Sequence, residues 1–130
     1  MTYYYAKSLA LPFDETVAAT RAALAEEGFG VITEVDVRQT MKAKIGKDFR
    51  PYLILGACNP TLAYEALQLE DKVGTMLPCN VIVQDVGHGR TEVAAIDPLA
   101  SMQAIPNDAL KGKAAAVGEK LRAALDRLTG

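Results

Sequence analysis

The sequence predicts an α+β fold: a two-layer sandwich whose largely antiparallel sheet of about five strands carries helices on one face. Three observations lead there. Short stretches of alternating or β-branched residues recur along the chain, and apolar residues at helical spacing recur between them. Hairpin connections dominate between the strands, which favours antiparallel neighbours. The 130 residues suit one domain spanning 1–130, and with 50% hydrophobic and 23% charged residues a packed core needs neither disulfide nor metal.

Residues 3–9 are aromatic-rich and then alternate, as a first strand does. Leu11-Pro12-Phe13 breaks it. Val17, Arg21, Leu24 and Ala25 then recur at helical spacing across residues 14–27, with Gly28 as the stop. Residues 30–37 alternate, with Val31, Thr33, Val35 and Val37 on one face of a half-buried strand and Glu34 and Asp36 on the other. A short helix over 36–45 ends at Gly46. Residues 49–58 form the next strand, and the continuous apolar run within it places it near the sheet centre.

Asn59-Pro60 opens the second long helix, since Asn is a favoured N-cap and Pro a favoured first helical residue. Residues 70–74 end that helix. Strands over 81–86 and 91–96 flank a tight turn at Gly87-His88-Gly89. Asp97-Pro98 stops the second of them, and 99–105 reads as a loop. Asn107 caps the final helix, whose stripe is Leu110, Ala114, Val117, Leu121, Ala124 and Leu128. The sheet face away from the helices carries Ile82, Ala94 and Ile96 among polar residues. Such a face is too apolar to be left wet, and a homodimer would cover it.

Composition excludes several function classes. The net charge is −2 with the two signs interspersed, so no basic patch for nucleic acid is expected. No apolar run is long enough to cross a membrane. The first residues lack a basic segment followed by an apolar one, so the expected location is the cytoplasm. No phosphate-binding glycine motif names a cofactor, and the cofactor is left unknown.

The chemistry-bearing stretch is 56–80, which holds both cysteines, each followed by asparagine: Gly56-Ala-Cys-Asn-Pro and Leu77-Pro-Cys-Asn. Cys58 just before a helix would feel the positive end of its dipole, which favours a thiolate; a buried cysteine packing as a small apolar group is the plainer account. Cys79 lies beyond any C-x-x-C spacing, and its distance from Cys58 depends on the route of the chain between them. Cys58, Cys79, Met76 and Met102 would form a soft donor set suited to Cu(I), but no recognised ligand spacing links them, and no metal is expected. Glu65 lies within two helical turns of Cys58, where a general base could stand. Asp97 could face the same end of the sheet. The lone His88 sits in a hairpin turn, which removes any Cys-His or Ser-His-Asp arrangement.

These motifs, with Ala63-Tyr-Glu-Ala-Leu67, Ala95-Ile-Asp-Pro98 and Met102, resemble the prokaryotic family called domain of unknown function 302, over nearly the whole chain. The resemblance implies a compact α+β dimer and no assigned activity. The positions it carries over are Cys58, Asn59, Pro60, Tyr64, Glu65, Pro78, Cys79, Asn80, Asp97 and Pro98.

Three functions follow as expectations. The first is a small dimeric binding or sensing domain whose small-molecule pocket gathers Cys58, Asn59, Cys79 and Asn80, with Glu65 and Asp97 nearby. The second is redox or nucleophilic thiol chemistry at Cys58 or Cys79. The third is an interaction module with structural cysteines. A binding role is preferred to an enzymatic one.

Overall fold

The computed structural model describes residues 2–130. Five strands, β1 (Tyr4–Leu9), β2 (Gly30–Asp36), β3 (Tyr52–Cys58), β4 (Cys79–Gly87) and β5 (Arg90–Ile96), form one sheet in the order β1-β5-β4-β3-β2. Every neighbouring pair is antiparallel. The helices are α1 (Phe13–Glu26), α2 (Val37–Ile45), α3 (Pro60–Leu69), α4 (Pro98–Ser101) and α5 (Asp108–Asp126), with a 3₁₀ turn at Asp71–Met76. The architecture is the two-layer α+β sandwich expected.

Strand alternation sorts the sheet into two faces. Leu9, Leu55, Ala57, Cys79, Val81, Val83, Val93 and Ala95 point to the helical side and are buried with Leu24 of α1 and Leu121, Ala124 and Leu125 of α5. The opposite face pairs Tyr52 with Gln84, Ile54 with Ile82 and Ile82 with Ala94. A hydrogen-bonded row crosses it, Arg50 donating to Gln84 and Gln84 to Glu92. The hairpin between β4 and β5 turns through Gly87, His88 and Gly89, all at positive φ (85°, 57° and 72°), the backbone that a tight two-residue loop requires.

Two expectations about faces are overturned. In β2 the pairing jumps at Ile32: Val31 stands opposite Ala57, but Thr33 stands opposite Gly56. One inserted residue, a β-bulge, therefore puts Val31 on the helical side while Thr33 and Val35 stand on the other. The strand lies at the sheet edge and is mostly exposed rather than half-buried. In α1 the buried face is Thr16, Thr20, Ala23 and Leu24, and Arg21 points outward to an ion pair with Glu34. The two threonines bury cheaply because each hydroxyl donates one turn back, to Pro12 O at 3.0 Å and to Thr16 O at 2.7 Å.

Local chemistry explains the helix ends. Asp36 Oδ1 accepts from Gln39 N at the start of α2, and Gly46 closes it in the left-handed region at φ 67°. Asn59 and Asn107 cap α3 and α5 in the same way. The segment after β5 differs from the loop expected. Asp97 Oδ1 accepts from Leu99 N and Ala100 N, Pro98 takes the first helical position, and the short α4 follows. Met102, just beyond α4, is 4% exposed and joins Ala66, Val73, Leu110 and Ala114 in a second, smaller core cluster.

Candidate functional site

Between the two core clusters the molecule leaves a cavity of about 340 Å³. Its floor is the end of the sheet, with Ala57 and Cys58 closing β3 and Cys79 opening β4. The walls come from α3, α4 and α5. The space exists because the helices present small side chains to it: Ala63 and Ala66 from α3 and Ala114 from α5. Close packing would need bulkier residues there. Ile32, the bulge residue of β2, lies at the same cavity, with Phe29 beside it.

The antiparallel pairing of β3 with β4 sets Ala57 opposite Cys79, so Cys58 and Cys79 are diagonal neighbours at one end of the sheet. Both are free thiols. Cys79 is 8% exposed, and burial, reinforced by nearby Cys58, pushes its thiol up to about 11. At neutral pH Cys79 is therefore a protonated, small, weakly polar group and not a thiolate nucleophile. Cys58 is half-buried at the amino end of α3.

The expected convergence of both Cys-Asn pairs is corrected by the geometry. Asn59 lines the cavity, and its Oδ1 is occupied as the cap of α3, accepting from Leu62 N at 3.2 Å. Its amide nitrogen lies beside Gly28. Asn80 is one residue further along β4 than Cys79, so it faces the opposite side of the sheet. There it pairs with Gly56 and borders a separate depression of about 360 Å³ with Tyr4, Tyr52, Ile82 and Ile96. Asp97 is used as the cap of α4. Glu65 on α3 reaches across to Lys113 on α5, with Oε2 2.5 Å from Nζ. That oxygen is closed to solvent and makes no hydrogen bond of good geometry, and Lys113 faces its charge.

Lys113 was not among the candidates read from the sequence, yet among the described residues it is the single charged one lining the cavity. The signal was present. Leu110, Ala114 and Val117 of the apolar stripe on α5 all line the cavity, and Lys113 stands among them at helical spacing. Apart from Lys113, Asn59 and the two thiols, the lining is apolar. Among the described residues no three His, Cys, Asp or Glu side chains gather as a metal cluster would require, and no helix is long and apolar enough to cross a membrane.

The comparisons agree on the family. The family model described as "Domain of unknown function DUF302" matches residues 5–128. A solved structure, the crystal structure of an uncharacterised conserved DUF302 protein from Bacillus stearothermophilus, is 32% identical, covers 98% of this chain and 98% of its own, and superposes with a TM-score of 0.90. No curated protein matches.

Proposed function

Because this chain belongs to the DUF302 family, whose description assigns no activity, we propose from the site alone that it is a small-molecule binding module. The cavity between the sheet end and α3, α4 and α5 is its ligand site. The observation that carries this is the lining: about 340 Å³ bounded almost wholly by apolar side chains, with Asn59, two thiols and Lys113 as the polar exceptions. Space of this size with few polar groups is the usual form of a small-ligand site. The candidate residues are Cys58, Asn59 and Cys79, with Lys113 added and Glu65 acting through it. Asn80 and Asp97 drop out on position.

Octanol is a suitable neutral probe. Calorimetric titration should show one octanol per chain, and Ala66→Leu, which fills the cavity, should abolish the binding while circular dichroism stays native. Ala63→Leu serves if Ala66→Leu unfolds. No octanol binding, or equal binding by a folded filled variant, refutes the reading.

The module is also proposed to pair with a second copy through the open sheet face. Tyr4 and Val35 are 43% and 45% exposed there, beside half-buried Ile54, Ile82 and Ile96, an apolar band of the kind that homodimers bury. Sedimentation should give a dimer for the native chain and a monomer for Ile82→Glu; a native monomer refutes it. Two free cysteines accord with a reducing, cytoplasmic setting.

A further inference from the structure

We propose that the ligand of this cavity is a small amphiphilic monoanion, an apolar chain ending in a carboxylate, with its head held by Lys113 Nζ. This rests on the cavity being a ligand site, as proposed above. At the ~30 Å³ that a water-sized group occupies in a liquid, a cavity of about 340 Å³ holds roughly eleven non-hydrogen atoms. A medium-length chain with its head group fits that count.

The apolar wall leaves no place inside for a charge, so a charged head must sit where Lys113 is. The Lys113 side chain is 40% exposed, which puts its ammonium at the mouth with its stem along the apolar wall. Its ion pair with Glu65 joins α5 to α3, and it stands on the apolar face of its helix. Leu110, Ala114 and Val117 surround it on the lining face of α5, and an ordinary packing stripe would place an apolar residue there.

The ammonium has donors to spare. A lysine carries three N–H groups, and among the described residues the ion pair of this one is with a single carboxylate oxygen, Glu65 Oε2. A ligand carboxylate can take the remaining donors while Glu65 keeps the amine in place. Glu65 also limits the charge of the head. One lysine already faced by one carboxylate tolerates a single further negative charge far better than the two of a phosphate monoester.

Calorimetric titration of octanoate, octyl phosphate and octanol into the native chain, Lys113→Met and Glu65→Gln tests this. Methionine keeps an apolar stem against the wall and removes the charge. Octanoate is expected to bind the native chain about tenfold or more tighter than octanol, the scale of one charge-assisted hydrogen bond, and tighter than octyl phosphate. Lys113→Met should remove that advantage, weakening octanoate about tenfold or more relative to octanol. Glu65→Gln should tighten octanoate by freeing the ammonium.

Octanol binding as tightly as octanoate, or Lys113→Met weakening both ligands equally, overturns the head-group assignment and leaves the cavity reading standing. Octyl phosphate binding more tightly than octanoate overturns the monoanion. Failure of all the ligands overturns this assignment and the cavity reading together.

Discussion

Raising the pH should withdraw stability from this fold at Cys79. Burial first, and the neighbouring Cys58 second, push its thiol from an ordinary 9.0 up to about 11. Below pH 9 the thiol is protonated in the folded and the unfolded chain alike, and its contribution does not vary. Between the two values the unfolded chain releases the proton while the folded chain keeps it, so stability falls as pH rises. The loss is on the order of 1 kcal/mol near pH 10 and of 3 kcal/mol above the folded value.

Urea unfolding followed by circular dichroism, under reducing conditions at about pH 7.5 and about pH 10, measures this against Cys79→Ala. The substitution lowers stability at both pH values by the packing it removes. Groups that titrate alike in both proteins cancel in the comparison. The native chain's advantage over the variant should therefore shrink by about 1 kcal/mol on going to pH 10. Parallel declines of the two proteins would show that burial does not hold this thiol neutral, and the account of Cys79 as a passive cavity wall would fall with it.

Two glycines should respond to alanine with opposite signs. A Cβ on Gly56 would sit 2.0 Å from Thr33 Oγ1 and 2.6 Å from Pro78 Cγ. Gly56→Ala must therefore push β2 away from β3, and a loss of about 1–3 kcal/mol is expected in chemical denaturation; a neutral result would mean that the bulged register of β2 is not held. Gly112 is exposed in α5 with nothing within 4 Å of a Cβ. Gly112→Ala should raise stability by about 0.5–1 kcal/mol in the same assay, from helix propensity alone, and a loss would show a contact that the open space around it denies.

Legibility in the sequence followed how local each determinant is. Asn59-Pro60 and Asn107 announced helix starts because a cap acts within one turn, and the structure has both caps. Asp97-Pro98 carries the same chemistry yet looks in the sequence like a strand stop, because α4 is only four residues long and shows no apolar period of its own. The β2 bulge was hidden for a different reason. Val31, Thr33 and Val35 keep their spacing in sequence whether or not Ile32 is an extra residue, and only the partner strand reveals the shift.

At the site, the meeting of Cys58 with Cys79 required the β3–β4 register, which no local pattern encodes. The parting of Cys79 from Asn80 was legible, since adjacent residues of one strand face opposite sides. Cys58 and Asn59 escape that rule because the strand ends between them and α3 begins.

The position of β1 constrains the order in which the chain can be assembled. All its strand partners lie in residues 91–96. Its flanks are fastened later still, where Tyr5 donates to Asp126 at 2.6 Å and Lys7 to the Leu128 carbonyl. β1, made before its partner strand, is therefore a late strand to find its place. It must wait, with its backbone donors and acceptors in water, until β5 and the end of α5 have been made. Closure of this sheet is thus a long-range event that joins residues 4–9 to residues 91–96.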